Sequence, residues 1–82
     1  RYEDANQAIL LEIAQPVADH PRLPMTRVCE IAKQLCTQAQ FNIFELASIL
    51  NKKAPVVKDK VLPKLREYSN FVENGDIFYM HS

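Results

Sequence analysis

Apolar side chains recur at Ala5, Ala8, Ile9, Leu10, Ile13 and Ala14 with polar residues between them. This is a helical period, and it predicts an amphipathic helix from Glu3 to about residue 15. Asp4 stands where a cap belongs, and Glu3 complements the positive end of the helix dipole. Pro16, Pro21 and Pro24 then crowd one short stretch. Prolines at that density remove amide donors and force extended backbone, which predicts a connector over 16–24. A second helix is predicted to start near Pro24 or Met25, where a first-turn proline is tolerated. Its apolar positions are Val28, Cys29, Ile31, Ala32, Leu35 and Cys36, spaced as one helical face.

Asn42 is followed three residues later by Glu45, and Ile43, Leu46, Ala47 and Leu50 mark an apolar face. The pattern predicts a short helix opened by a capping box. Asn51-Lys52-Lys53-Ala54 breaks the period, and Pro55 restarts it at a first-turn position. Helix, short turn and helix is a helix-turn-helix arrangement. In its second helix, Val57, Val61, Leu65 and Tyr68 are predicted to face the core. Pro63 must distort that helix, because the carbonyl of Asp59 loses its usual amide partner.

After Ser69-Asn70 the period changes to two. Phe71-Val72-Glu73, Asn74-Gly75 and Asp76-Ile77-Phe78-Tyr79-Met80 predict a β-hairpin turning on Asn74-Gly75 in a type I′ turn. Gly75 is the only glycine, consistent with a backbone need that other residues meet poorly. Helices ending in a helix-turn-helix and then a hairpin are the order of a winged helix. The expected fold is therefore mainly α with a small β-hairpin, a winged helix-turn-helix with an additional N-terminal helix. One domain spans 1–82, with the helix and connector at 1–24 and the winged-helix core at 25–82.

At Glu45-Leu46-Ala47-Ser48-Ile49-Leu50-Asn51-Lys52-Lys53, then Val57, then Leu62-Pro63-Lys64-Leu65-Arg66-Glu67, the chain also resembles a family. It is similar to the C-terminal winged-helix domains of bacterial RecG-related ATP-dependent DNA helicases and transcriptional regulators, in which an ATPase-like or Schlafen-like module comes first. The resemblance covers residues 25–80 and is sharpest at Leu-Pro-Lys-Leu. Where the family often carries a glycine after that helix, Tyr68-Ser69-Asn70 stands here. The resemblance implies a DNA-recognition appendage of a larger cytoplasmic protein.

Composition narrows the picture. Eighty-two residues with 48% hydrophobic and 24% charged content suit one small globular domain and disfavour disorder or low complexity. No apolar run approaches the ~18 residues of a membrane span, and no secretory leader pattern opens the chain; a cytoplasmic protein is expected. Arg1 at the start suggests a segment of a longer product. Cys29 and Cys36 stand two helical turns apart, roughly 10 Å, too far for a disulfide, and read as small apolar residues of a reducing compartment. His20 and His81 complete no ligand spacing, so no metal and no cofactor is expected. Catalysis finds no nucleophile motif and no glycine-rich phosphate loop; the chain is not expected to be an enzyme.

Net charge is zero, yet unevenly distributed: −2 over residues 1–51, +5 over 52–66 and −3 from Glu67 onward. The basic block coincides with the turn and second helix of the helix-turn-helix, where phosphate contacts belong. At about 100° per residue, Val56, Asp59 and Lys60 are predicted to face outward toward a major groove. Lys52, Lys53, Lys58 and Lys60 are the candidate backbone contacts, followed by Lys64 and Arg66 beyond the phase shift at Pro63, with double-stranded DNA the expected partner. Alternatively these lysines solvate an exposed helix face. The hairpin tip, Glu73-Asn74-Gly75-Asp76, is acidic and predicts no contact with a polyanion.

Among the aromatic residues, Tyr2, Phe41, Phe71, Phe78 and Tyr79 are expected mostly in the core. Phe44 lies at the edge of its short helix and, beside Ile49, predicts an exposed protein-binding patch. The competing function is an interaction or dimerisation module, docking through Leu10, Leu11 and Phe44, because the apolar arc of the first helix exceeds what one small core covers. The partner is then a second copy or other domains of a parent protein.

Overall fold

The structure, a computed structural model, describes the backbone of residues 2–81 and the side chains of 7–81. The Asp4 cap, the Glu3 dipole contact, Ala5 and the Tyr2 ring lie outside the described side chains. Four helices are described, α1 (Tyr2–Asp19), α2 (Met25–Gln38), α3 (Ile43–Ile49) and α4 (54–65), followed by strands β1 (Phe71–Asn74) and β2 (Ile77–Met80).

The first helix runs through Pro16, where the proline spacing predicts the start of a connector. Val17 is 2% exposed and sits in the core with Ala14. Burying such a side chain contributes ~1.5–3 kcal/mol, comparable to the ~3 kcal/mol that an interior proline costs. The Gln15 side chain donates to Asp19 at 2.8 Å and the His20 amide to the Pro16 carbonyl at 3.0 Å, so the last turn holds beyond the proline. The connector is thus 20–24. Pro24 precedes α2 in extended conformation and its carbonyl accepts from Arg27 and Val28.

Helix α2 is the centre of the molecule. Its face of Val28, Ile31, Ala32, Leu35 and Cys36 is buried and packs against α1, α4 and β2. The predicted capping box opens α3: the Asn42 side-chain oxygen accepts from the Glu45 amide at 2.9 Å, and the Glu45 carboxylate accepts from the Asn42 amide at 3.0 Å. Leu46, Ala47 and Leu50 are buried beneath it.

Helix α4 begins in regular form at Ala54–Val56, opens into a π turn over Val57–Val61 and closes again over Leu62–Leu65. The wide turn ends just before Pro63, with the Leu62 amide bonded to the Val57 carbonyl. Inserting one residue there accommodates the missing donor that is predicted to distort the helix. It also lets Val57, Val61, Leu62 and Leu65 all reach the core. Tyr68, predicted to follow them inward, is 41% exposed instead. The chain leaves helical phase after Arg66, with the Glu67 and Tyr68 amides bonded three residues back to Lys64 and Leu65.

Strands β1 and β2 pair antiparallel with Phe71 opposite Met80 and Asn74 opposite Ile77. The two central turn residues are therefore Gly75 and Asp76 rather than Asn74 and Gly75. Gly75 has φ +65°, while Asn74 and Asp76 keep negative φ, which is the type II′ pattern with glycine first. That register turns Phe78 and Met80 inward, where both are buried, so core burial selects it over the predicted type I′ turn. Phe41, between α2 and α3, bridges Phe78 through reciprocal backbone bonds of 3.0 and 2.8 Å. Phe71 and Phe78 stack tilted at 5.9 Å.

Candidate nucleic-acid interface

Local chemistry fixes the turn between α3 and α4. The Lys52 amide donates to the Ala47 carbonyl at 2.9 Å and the Asn51 amide to Ser48 at 3.2 Å, closing a Schellman motif. Asn51 takes the left-handed position with φ +56°. Asn is among the few residues other than glycine that enter this region readily. The chain then extends through Lys53, whose carbonyl accepts from Val56 and Val57 at the start of α4. The motif thereby sets Lys52 and Lys53 beside the N-terminal end of α4.

Lys53, Lys58, Asp59, Lys60 and Lys64 are exposed, and Lys52 is half-buried. Val56, predicted to face outward, is half-buried, because α3 packs against the first turn of α4. Among the described residues, no ion pair engages Lys52, Lys53, Lys58 or Lys60. Lys64 differs, standing 3.8 Å from Glu67. The exposed face of α4 thus offers Lys58 and Lys60 flanking one carboxylate, with Lys52 and Lys53 at its start.

The hairpin is tied to α4 by charge. The Arg66 guanidinium donates to both carboxylate oxygens of Glu73, at 2.6 and 3.3 Å. This fork-shaped bond holds the Glu73 carboxyl below its ordinary range and raises the guanidinium further. Arg66 is therefore engaged within the protein, and Asp76 remains exposed at the tip. Sequence spacing does not reveal this clasp, since it joins two elements.

On the α2 side, the Cys29 thiol donates to the Lys60 carbonyl at 3.6 Å within the π turn. Lys33 of α2 lies 4.7 Å above the Tyr68 ring, a cation–π contact that explains where the outward-turned ring rests. Cys36 is buried and Cys29 half-buried, both as free thiols. Burial pushes the Cys36 thiol up to about 12, and burial also raises Cys29 against the opposing pull of Lys64.

Leu10, Leu11 and Phe44 come together elsewhere. They line a groove of about 1110 Å³ bounded by α1, the end of α2, α3 and β2. Phe44 is 72% and Leu11 58% exposed, while Leu10 is half-buried. Ile49, expected beside Phe44, and Tyr79 also line it; Tyr79 does not stand among the predicted docking residues, because strand and helix meet here only in three dimensions. Among the described residues, no cluster of side chains fits a metal ion and no helix is long and apolar enough to cross a membrane. Set against protein-family models, curated proteins and solved structures, the chain matches none.

Proposed function

We propose that this chain is a winged-helix DNA-binding domain that lays α4 in the major groove and sets Lys52 and Lys53 on flanking phosphates. The observation that carries this reading is the group of lysines at the start of α4, Lys52, Lys53, Lys58 and Lys60, without carboxylate partners among the described residues. Lysines neutralised within a protein release no counterions on binding DNA, whereas free ones do. The architecture supports the same reading: a helix-turn-helix is followed by a hairpin, and Phe41 makes an isolated backbone bridge to β2. Lys58 and Lys60 contact phosphates, and Asp59 accepts from a cytosine amino group. The hairpin makes no phosphate contact, since Glu73 is engaged by Arg66 and Asp76 repels a polyanion. The domain serves binding rather than catalysis, as the recognition part of a helicase-related or transcription-regulatory protein of the bacterial cytoplasm.

Reversing two charges tests the assignment. Lys52→Glu with Lys53→Glu is expected to weaken binding to a mixed-sequence duplex at least tenfold by fluorescence anisotropy at low salt, with an unchanged thermal melt. Equal affinity of the variant and the parent chain contradicts it.

A further inference from the structure

We infer that Arg66 is a further phosphate-binding residue of α4, and that Glu73 of the hairpin occupies the place of that phosphate and so restrains the affinity for DNA. The inference rests on the DNA reading and adds to it a control of binding strength.

Arg66 closes the basic block of the sequence, and the π turn decides which way it faces. One inserted residue takes about 100° out of the phase between Lys58 and Arg66 and leaves it close to two full turns. Arg66 thereby returns to the flank of α4 that carries Lys58, and both side chains are exposed. Its planar fork of donors fits a carboxylate or a phosphate, two oxygens at a time. Glu73 takes that fork with both oxygens, at 2.6 and 3.3 Å.

The hairpin is built to keep the carboxylate there. Glu73 stands opposite Phe78 in the ladder, and directly opposed residues share one face of the sheet. Phe78 is buried, so Glu73 departs from the core-facing side, toward α4. The base of the hairpin is closed by the His81 amide donating to the Asn70 carbonyl at 2.7 Å and the Asn70 side-chain amide donating to the His81 carbonyl at 3.0 Å. A strand braced in this way does not carry Glu73 off Arg66. An exposed pair of this kind contributes little to stability, and its consequence lies in charge. Together the two groups are neutral, so they release no counterion when a phosphate approaches. Displacing Glu73 sets a second anion beside that phosphate, because Arg66 holds the carboxyl below its ordinary range and keeps it charged at neutral pH.

Fluorescence anisotropy with a mixed-sequence duplex, from about 50 to 200 mM salt, tests this on Glu73→Gln, on Asp76→Asn and on Glu73→Gln combined with Arg66→Gln. Asp76→Asn makes the same change of charge at the hairpin tip, where no ion pair engages the carboxylate among the described residues. Glu73→Gln is expected to bind severalfold tighter than the parent chain at the low-salt end. Its slope of log K against log salt is expected to steepen by about 0.9, the release of one more counterion, so that the advantage shrinks roughly threefold across the range. Asp76→Asn is expected to gain less, and the double variant to return to the parent slope. A gain in affinity does not arise from a damaged fold, and thermal melts of all three variants check that each is folded. A parent chain that binds with its own salt dependence while Glu73→Gln only matches Asp76→Asn overturns the inference and leaves the DNA reading standing. A double variant that keeps the gain overturns it as well. Absence of binding by the parent chain and by Glu73→Gln at low salt overturns the inference together with the reading beneath it.

Discussion

At the scale of single residues, two backbone positions carry conformations that few side chains adopt. Asn51 holds φ +56° in the turn between α3 and α4. Asn51→Val forces a β-branched residue into the left-handed region and is expected to cost ~1–3 kcal/mol; Asn51→Gly leaves stability within about 0.5 kcal/mol, since glycine enters the region freely. Chemical denaturation of both variants checks the pair, and equal losses contradict a conformational role for Asn51. At Gly75 a Cβ would meet nothing within 4 Å, yet φ is +65°, so backbone strain rather than crowding limits substitution there. The thiols give a second check at this scale. With Cys36 pushed up to about 12 and Cys29 raised, little thiolate exists near pH 8. A thiol reagent is expected to modify Cys29 more slowly than a free thiol and Cys36 only in denaturant; rapid modification of both contradicts the burial.

Elements are legible in the sequence where one local signal decides them. The capping box at Asn42 and Glu45, the face of α2 and the restart at Pro55 all follow from spacing, and the exposure of Phe44 from its place beside a face already filled. Local signals fail where a tertiary contact outweighs them: Val17 carries α1 past Pro16, and the burial of Phe78 and Met80 moves the turn by one residue. The π turn before Pro63 shows both sides. A distortion is predictable from the missing amide, but its form, one inserted residue that brings Leu62 inward, depends on the core beneath. The Arg66–Glu73 clasp is invisible to any period, and it makes a prediction about pH. Because Arg66 lowers the Glu73 carboxyl, the clasp contributes stability above the ordinary glutamate range and loses it as pH falls through the depressed value. Both partners are substantially exposed, so solvent screening keeps the contribution below ~1 kcal/mol. Thermal melts are expected to favour the parent chain over Glu73→Gln near pH 6, with the gap closing as the pH falls below the ordinary glutamate range; a gap that does not change with pH contradicts the ionic origin.

Across the whole molecule, two surfaces with different chemistry emerge. The start of α4 gathers lysines that nothing among the described residues neutralises, while the groove lined by Leu11 and Phe44 mixes apolar side chains with mostly uncharged polar ones. A net charge of zero conceals this division, because the acidic residues lie before and after the basic block. The division also explains why composition alone does not choose between a nucleic-acid and a protein partner: the basic and the uncharged surfaces cancel in the sum. The most direct measurement is the affinity for a mixed-sequence duplex as a function of salt. Four lysines on phosphates predict a slope of log K against log salt of about −3.6, which is roughly a hundredfold weakening between 50 and 200 mM. Absence of binding at 50 mM, or an affinity that does not respond to salt, contradicts the assignment of α4 and its lysines to DNA.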